Sequence, residues 1–320
     1  MIITVTPNPG LDLTYTFAVV PESASDVHRA IGSTLEASGK GVNVSRALAT
    51  VGVPTCAILP AGGATGRALV ELLDDDGVDH RVTRQSGETR VNTTALHPGG
   101  GTVKLNGPGA PLRDSEQRAL LREIALALAD AQEHAVIPLW VAICGSLPPG
   151  VGSEFIEEMI ALVHGQGAKC AVDVSGDALA AALCAGADLL APNRQELAEV
   201  TSAGQFAGSL EQLAAEAKTL SARTGAQLLI SLGADGALYA DGSQVLHGWG
   251  PPLIPVNTAG AGDALLAGWL VDEAEPKTRL ARAIAWGRSA CLAATTVDPR
   301  PGSAGATPIT LTELAAQPPS

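Results

Sequence analysis

The sequence predicts an α/β fold, in which helices flank both faces of a central, mainly parallel sheet and a smaller sheet is added. Short apolar runs alternate with turns and helical segments along most of the 320 residues, as in strands joined by crossover helices. Two segments, 11–35 and 88–106, contain period-two pieces typical of strands with one wet face. Because 46% of the residues are hydrophobic, a large core is possible, and we expect one domain over 1–320.

The first elements follow from local patterns. The apolar run 1–6 predicts a buried strand that ends in a Pro-Asn-Pro-Gly turn. Alternation at 11–17 predicts a second strand, and a further short strand is expected at 27–31. A helix is expected after the next glycine pair. A strand at 55–60 then leads through a glycine-rich turn into a helix that ends near residue 73.

The later segments continue this alternation around an inserted hairpin. The hairpin occupies 89–106, with period-two strands on either side of a His-Pro-Gly-Gly-Gly turn. Further strands are expected at 135–144, 169–174, 188–190, from 228, at 237–240 and at 243–247, with helices at 115–131, 209–224, 264–270 and 276–293. A Pro- and Gly-rich loop through 307 and a short tail helix complete the prediction.

Charge and composition exclude several classes of partner. The chain carries a net charge of −13, which disfavours binding to nucleic acid or to anionic membranes. Aromatic residues, at 3%, are too few to stack bases. The N-terminus lacks the basic and apolar regions of a signal peptide, and no apolar run has the length of a membrane span. An anionic substrate would therefore need a local basic patch.

The cysteines give no sign of a disulfide framework or a metal site. They form no Cys-x-x-Cys pair and no zinc-site spacing with histidine. Scattered mostly within apolar runs, they are typical of buried free thiols in a reducing cytoplasm, with a catalytic cysteine as the alternative. The five positions are Cys56, Cys144, Cys170, Cys184 and Cys291.

The stretch 257–263, Asn-Thr-Ala-Gly-Ala-Gly-Asp, runs directly into an apolar helical segment. Small residues let backbone amides approach a ligand, and a helix start adds the positive end of its dipole, so the stretch predicts an anion site. A carboxylate at Asp263 would repel the anion, but it is useful if it must take a proton beside it. The alternative is a plain loop with Asp263 as an ordinary helix cap.

Other charged residues could hold an anionic substrate. Lys40 lies between two glycines at a helix start, where it is either an anion ligand or a solvated cation. Arg90 and Lys104 would lie on adjacent hairpin strands, either as a phosphate clamp or as ordinary charges on a wet face. Asp12 follows a turn and either binds hydroxyls or simply shapes that turn.

Two polar breaks follow buried strands, where open α/β sheets place their ligands. The first is the Gly-Ser-Leu-Pro-Pro-Gly sequence at 145–150. The second contains Asn193 and Glu196, which are three residues apart and can hold a hydrated cation. A helix cap explains Asn193 equally well, and Glu196 would then be a plain surface residue.

Seven motifs occur in a specific order along the chain. They are Pro7-Asn8-Pro9 with Asp12, Gly39-Lys40-Gly41-Val42-Asn43-Val44, Thr89-Arg90-Val91-Asn92, Gly145-Ser146-Leu147-Pro148-Pro149-Gly150, Pro192-Asn193 with Glu196, Ser231-Leu232-Gly233 with Gly236, and Ala259-Gly260-Ala261-Gly262-Asp263. Together they resemble the ribokinase-like superfamily of phosphofructokinase-B type over nearly the whole chain. The resemblance implies a ribokinase-like, Rossmann-type three-layer fold with a β lid built from 11–35 and 88–106.

The resemblance also implies an activity. Such kinases move the γ-phosphoryl of ATP to a hydroxyl of a sugar phosphate, with Mg²⁺. Asp263 would be the general base that takes the hydroxyl proton. The amides of Gly260, Ala261 and Gly262 would hold the transferring phosphoryl, which is the electrostatic assistance that this transfer chiefly needs.

The same resemblance assigns the metal and nucleotide residues. Asn193 and Glu196 would organise Mg²⁺ through water, and Asn193 would also contribute to the nucleotide site. Ser231, Gly233 and Gly236 would border the phosphates and ribose of ATP.

On the acceptor side, the resemblance assigns hydroxyl binding to Asp12, Gly39 and Asn43. The candidates for the existing phosphate of the sugar are Lys40, Arg90, Lys104 and Ser146. The β lid would cover the sugar, exclude water and form the face of a homodimer.

The choice of sugar phosphate rests on finer similarities. The Gly-Lys-Gly form around Lys40 and the sequence Asp-Val-His-Arg at 26–29 resemble 1-phosphofructokinases and tagatose-6-phosphate kinases. The glycine turn at 60–66 and the position of Lys104 instead resemble 6-phosphofructokinases. Two residues depart from the family pattern, namely Thr94, where 1-phosphofructokinases usually carry lysine, and Ala259, where glycine or valine is common.

We therefore predict phosphorylation of fructose 1-phosphate to fructose 1,6-bisphosphate, with 6-phosphofructokinase and tagatose-6-phosphate kinase as alternatives. A non-catalytic sugar-phosphate sensor is a hypothesis of another class, against which the intact Asp263, Asn193 and Glu196 argue. A nucleoside kinase is a third, but its neutral acceptor would leave the basic residues without a role.

Overall fold

A computed structural model of the chain describes residues 1–19, 27–97, 101–134, 139–201, 208–298, 300–302 and 308–314. The strands are β1 (Ile2–Val5), β2 (Gly10–Thr16), β3 (Gly32–Ser38), β4 (Thr55–Ala61), β5 (His80–Arg84), β6 (Arg90–His97), β7 (Gly101–Leu105), β8 (Trp140–Cys144), β9 (Lys169–Asp173), β10 (Leu189–Leu190), β11 (Gln227–Ser231), β12 (Ala237–Ala240), β13 (Val245–Trp249) and β14 (Thr310–Glu313). The helices are α1 (Lys40–Ala49), α2 (Gly63–Asp75), α3 (Asp114–Gln132), α4 (Glu154–Gly165), α5 (Asp177–Cys184), α6 (Arg194–Val200), α7 (Leu210–Thr224), α8 (Ala261–Leu270) and α9 (Pro276–Leu292).

The larger sheet has the strand order β14-β13-β12-β11-β10-β9-β8-β1-β4-β5. The strands from β5 to β11 in this order pair in parallel, whereas β11 to β14 pair antiparallel. The carboxyl ends of the parallel strands share one edge of the sheet, which is where such folds place their ligands.

Alternation along β1 shows that the larger sheet has a core on each face. Ile2 belongs to an apolar cluster that includes Trp269 of α8, whereas Ile3 belongs to a second cluster that includes Phe155 of α4. All four side chains are buried. The sheet is therefore the middle of three layers, and the predicted fold class is confirmed.

The smaller sheet has the order β3-β2-β6-β7. β2 pairs with β6 in parallel and the other pairs are antiparallel, so the sheet is mixed. Because side chains alternate across a strand, Asp12, Glu36 and Asn92, which stand side by side in the register, share one face. Leu13 and Leu35, which also pair, share the opposite face.

Three predictions of individual elements are wrong. The strand expected at 27–31 is observed later in the chain, as β3. The first four residues of β3 are exposed, and its polar sequence therefore carries no apolar pattern. β5 is absent from the prediction, since this edge strand of the larger sheet has the polar sequence His-Arg-Val-Thr-Arg. In place of the tail helix, β14 pairs with β13.

Other predicted elements fall partly outside the described residues. The expected strand 135–144 is observed as β8, while 135–138 are not described. The hairpin turn at 98–100 and the loop at 303–307 also lie outside the described residues. No helix in the described part of the chain combines the length and apolar character needed to cross a bilayer.

Candidate active site

Asp263 lies in the first turn of α8, at the carboxyl edge of the larger sheet. The residue before the helix is Gly260, which has a φ of 77°. No larger residue fits at this position, because its Cβ would lie 2.2 Å from the Thr296 carbonyl oxygen. Asp263 is thus inside the helix and not at the cap position. It is only 7% exposed and accepts a 2.8 Å hydrogen bond from Asn43 Nδ2.

The start of α8 presents free backbone donors. Among the described residues no side chain caps this helix, and its first amides have no partner within the helix. A Cβ added to Gly262 would meet nothing within 4 Å, so open space adjoins this turn. Asn257 shapes the preceding loop by accepting a 3.0 Å bond from the Ala259 amide. The helix start formed by Gly260, Ala261 and Gly262, the predicted anion cradle, thus has the unpaired amides and the open space that an anion site requires.

The environment of Asp263 suits a general base. Burial, and next the nearby Asp173 carboxylate, raise the pKa of Asp263 to about 7, while the Asn43 bond and the Lys40 charge oppose this rise. A carboxyl with a pKa close to neutrality can both accept and release a proton near physiological pH. Asp263 can therefore act as the base beside the cradle.

Lys40 is paired, although its side chain remains 39% exposed. Its Nζ donates a 2.7 Å bond to Oδ1 of Asp173, a buried carboxylate at the end of β9. Burial alone would lower the pKa of Lys40, but the Asp173 carboxylate raises it above the ordinary value, so Lys40 is charged. The sequence-based reasoning missed Asp173. Its place at the carboxyl end of a buried parallel strand was the available signal.

The glycines around Lys40 are required by close packing on the end of β1. Gly39 has a φ of 130°, and its Cβ would lie 2.7 Å from Thr6 Cγ2. A Cβ on Gly41 would lie 2.5 Å from Thr6 Oγ1. This packing allows α1 to begin close to the sheet edge, and its first turn carries Asn43 to Asp263.

The lid contributes a second group of predicted residues. Asp12 accepts a 2.8 Å bond from Asn92 Nδ2, and Arg90, largely buried, donates a 3.3 Å bond to the Gly107 carbonyl. Lys104 is exposed and pairs in register with Thr94, not with Arg90. Four residues of strand separate those two positions, roughly 13 Å, so the structure does not bring Arg90 and Lys104 together.

Several buried polar atoms near these residues lack a hydrogen-bond partner within the described chain. They are Thr6 Oγ1, Asn43 Oδ1, Arg90 Nε and Asn92 Oδ1. Buried polar atoms normally have partners, because leaving one unpaired is costly. A hydroxyl-rich, anionic acceptor offers partners of the right kind.

Ser146 lies beside Lys40 at the end of β8. An added Cβ on the neighbouring Gly145 would lie 3.8 Å from Lys40 Cβ. Asn8 Nδ2 donates to Ser146 Oγ and to the Pro108 carbonyl, both at 3.2 Å. The buried Asn8 thus connects the end of β1, the end of β8 and the chain that leaves the lid.

Asn193 and Glu196 form a reciprocal capping box at the start of α6. Asn193 Oδ1 accepts from the Glu196 amide at 2.9 Å, and Glu196 Oε2 accepts from the Asn193 amide at 2.8 Å. The cap explanation of Asn193 is therefore confirmed, and Glu196 takes part in the cap. The Glu196 charge also helps to raise the pKa of Lys40.

These residues fit a hydrated magnesium ion. The described residues contain no cluster of three or more His, Cys, Asp or Glu side chains arranged around a metal. Mg²⁺ usually retains several waters and needs only one or two carboxylates in addition to substrate phosphates. Glu196 Oε1, which takes no part in the capping box, is an oxygen of the required type.

A cavity of about 440 Å³ opens beside the cradle. Predicted residues Ser231, Gly233 and Gly236 line it together with Ala261 and Gly262, so the structure brings the two predicted groups to one cavity. Other parts of its wall were not predicted and are mainly apolar, including Pro252, Leu253, Pro255, Leu265, Ile284 and Cys291. An apolar cavity with amide donors at one end suits a flat base joined to phosphates.

Comparison with known proteins agrees with this geometry. The family described as "pfkB family carbohydrate kinase" matches residues 8–303. The chain is 33% identical over 282 residues to "ATP-dependent 6-phosphofructokinase isozyme 2" of Escherichia coli, covering 86% of each chain. It is 34% identical over 270 residues to the 1-phosphofructokinase of Rhodobacter capsulatus, covering 83% of this chain and 82% of the relative.

A solved structure extends the similarity to three dimensions. Phosphofructokinase-2 from Escherichia coli, crystallised with substrates and products, superposes with a TM-score of 0.84 at 32% identity. The match covers 92% of this chain and 94% of that structure. By family match, by sequence identity and by fold, the chain belongs to the pfkB family of carbohydrate kinases.

Proposed function

We propose that the protein transfers the γ-phosphoryl of ATP to fructose 1-phosphate, forming fructose 1,6-bisphosphate. The observation that carries the proposal is the 2.8 Å bond between Asn43 and Asp263 at the start of α8. This bond joins Asn43, in the first turn of α1, to a buried carboxylate that lies beside the anion cradle. A base, an acceptor site and a phosphate site thus meet at one point.

In this mechanism Asp263 takes the proton from the attacking sugar hydroxyl. The cradle amides of Gly260, Ala261 and Gly262 hold the transferring phosphoryl while negative charge redistributes over its oxygens. Asn193 and Glu196 would hold hydrated Mg²⁺, which neutralises phosphate charge when bound. The cavity lined by Ser231, Gly233 and Gly236 takes the nucleoside part of ATP.

On the acceptor side, Asp12, Gly39 and Asn43 bind sugar hydroxyls. Arg90 and Ser146 bind the existing phosphate, together with Lys40 and Lys104. The pairing of Lys40 with Asp173 means that only part of its charge is available to that phosphate, so Arg90 carries most of this role. Lys104 can contribute if the phosphate lies towards the outer end of the lid.

Turnover measured side by side with fructose 1-phosphate, fructose 6-phosphate and tagatose 6-phosphate tests the choice of substrate. We expect the highest kcat/KM with fructose 1-phosphate. A higher value with fructose 6-phosphate would support the 6-phosphofructokinase alternative, which the Escherichia coli relative also represents. Adenosine serves as the neutral control acceptor, and preference for it would contradict the assignment of the basic residues.

We further propose that 1–320 forms one kinase domain whose lid, the four-stranded sheet, pairs with the lid of a second copy. The outward face of the lid is apolar, and Val103 and Leu105 are 52% and 65% exposed on it. An exposed apolar patch of this kind is typical of an interface. We also propose a cytoplasmic location, because all five cysteines are free thiols, which persist in reducing compartments.

A further inference from the structure

We propose that Glu36 is a positioning residue that couples the lid to the anion cradle through Thr296. It allows the acceptor sugar phosphate, bound against the lid, to influence how tightly the nucleotide is bound. The proposal rests on the proposed kinase function and extends it to communication between the two substrates. Neither Glu36 nor Thr296 belongs to any of the motifs described above.

Glu36 occupies the side of the lid that carries the acceptor residues. It lies on β3 directly opposite Asp12, and its side chain shares the face of Asp12 and Asn92. Although it is an acid on a strand at the edge of its sheet, Glu36 is only 9% exposed. A buried carboxylate requires partners, so its contacts identify what it does.

One oxygen of Glu36 reaches across to the other side of the active site. Oε2 accepts from the Thr296 amide at 3.3 Å and from Thr296 Oγ1 at 3.4 Å. The two residues are 260 positions apart, and Thr296 is itself buried. These are the hydrogen bonds through which a movement of β3 is transmitted to the segment after α9.

Thr296 packs directly against the start of the cradle helix. The space that a Cβ on Gly260 would need is occupied by the Thr296 carbonyl oxygen, 2.2 Å from that Cβ position. Gly260 is the residue from which α8 begins, so a displacement of Thr296 changes the position of the first amides. Lid, Thr296 and cradle therefore form a continuous chain of contacts.

Arg46 of α1 holds the other oxygen of Glu36 and neutralises its charge. Arg46 Nη2 lies 3.2 Å from Glu36 Oε1, and Nη1 donates a 3.0 Å bond to the Ala37 carbonyl. On the opposite side, Arg46 Nε donates a 2.6 Å bond to Asp76 at the end of α2. Arg46 thus has two acidic partners, of which only Glu36 contacts Thr296.

This difference provides a matched pair of variants. Glu36→Gln removes the charge that binds Thr296. Asp76→Asn instead weakens the ion pair of Arg46 on the side away from the active site. Thr296→Val removes only the hydroxyl donor and is a second route to the same contact. If Glu36→Gln fails to fold, Thr296→Val still tests the proposal.

The measurement is the dissociation constant of the magnesium complex of a non-hydrolysable ATP analogue, with and without saturating sugar phosphate. The sugar phosphate is whichever of fructose 1-phosphate and fructose 6-phosphate the wild type phosphorylates faster. We expect it to tighten analogue binding by about fivefold or more in the wild type, a normal size for coupled sites. Glu36→Gln should bring this ratio to within about twofold of unity, Thr296→Val, which keeps the amide bond, should lower it part of the way, and Asp76→Asn should retain the wild-type ratio.

The proposal is overturned if the wild-type ratio is near one, if Glu36→Gln and Thr296→Val keep the wild-type ratio, or if Asp76→Asn loses it equally. In the last case, general loosening around Arg46 would account for the effect. Wild-type turnover separates this failure from failure of the proposed function: an enzyme that phosphorylates no sugar phosphate refutes the function itself.

Discussion

In the proposed mechanism Asp263 must be ionised to accept a proton, yet it is buried beside the proposed phosphate site. Burial and Asp173 raise its pKa to about 7, so a substantial fraction is protonated at neutral pH. Because the base form is needed, kcat/KM should rise with pH through a limb whose apparent pKa is near 7. A wild-type profile that is flat between pH 5.5 and 8.5 would contradict this assignment.

Asp263→Asn should lower kcat by about 10²- to 10⁴-fold, because it removes the proton acceptor while preserving the size of the side chain. Binding of an ATP analogue, measured by calorimetry, should change little. Asp272→Asn is a matched control two residues beyond the end of the same helix, where the exposed carboxylate pairs with Arg282. Retention of the wild-type rate by Asp263→Asn would eliminate Asp263 as the base.

Asp173→Asn should move the acid limb of the kcat/KM profile to lower pH by about one unit. The direction follows from two effects of the same sign, since the substitution removes a carboxylate that raises the pKa of Asp263 and releases the charge of Lys40 from its ion pair. Asp177→Asn, at the exposed start of α5, is the control and should leave the limb in place. A shift to higher pH would contradict this account.

At the scale of elements, two glycines at the start of α8 are expected to have different roles. Gly260 is required for stability, and Gly262 leaves space for the ligand. Gly260→Ala should lower the Tm by several degrees, because its backbone is left-handed and its Cβ would collide with Thr296. Gly262→Ala should keep the wild-type Tm, since its Cβ enters open space, but it should raise the KM for ATP by filling the cradle. Thermal melts and steady-state kinetics of the two variants provide the comparison, and similar Tm losses in both would refute it.

The lid hairpin offers a second comparison, between a largely buried and an exposed cation. Arg90→Ala should raise the KM for the sugar phosphate by roughly ten- to a hundredfold, as expected for a lost charged hydrogen bond, and the KM for ATP much less. Lys104→Ala should have a smaller effect, because Lys104 on β7 pairs with Thr94, which lies four positions along β6 from Arg90. Equal effects of Arg90→Ala on both substrates would place Arg90 outside the acceptor site.

Helices and strands were predictable where their own sequences have a periodic apolar pattern. They were missed where neighbouring elements stabilise them. Each of the two missed strands lies at an edge of the larger sheet, β5 paired with β4 and β14 paired with β13, and neither has an apolar pattern of its own. Likewise, the role of Asp173 depends on Lys40, 133 positions away in the sequence. Gly39, Gly41 and Gly260 were informative because their close approaches leave no room for a larger residue.

At the scale of the whole molecule, the lid face predicts the oligomeric state. Replacing both Val103 and Leu105 with aspartate should convert a homodimer into a monomer, because it places charges on the apolar face that the partner would cover. Light scattering after size-exclusion chromatography gives the molar mass directly. Val51→Asp, on an exposed apolar residue after α1, should remain a dimer. A monomeric wild type, or a lid variant that stays dimeric, would contradict the proposed interface.

The apolar walls of the nucleotide cavity also emerge only from the complete molecule. Residues 252–255 lie in a loop without periodicity, and Ile284 and Cys291 belong to a helix that lies far from the glycine turn in the sequence. No local pattern joins them. The proposed phosphate end of the cavity has a sequence signal because backbone amides need small residues beside a ligand, whereas any apolar side chain can contact a base.

The bond between Asn43 and Asp263 spans 220 residues, and this separation has a consequence for biosynthesis. During translation α1, which carries Asn43, emerges long before the cradle helix, so the nascent chain holds part of the proposed sugar site without the proposed base or phosphoryl site. Contacts of such large sequence separation form late in folding, since closing the intervening loop is entropically costly. Incomplete chains therefore cannot consume ATP, and catalytic competence appears only when the two ends of the sequence have joined.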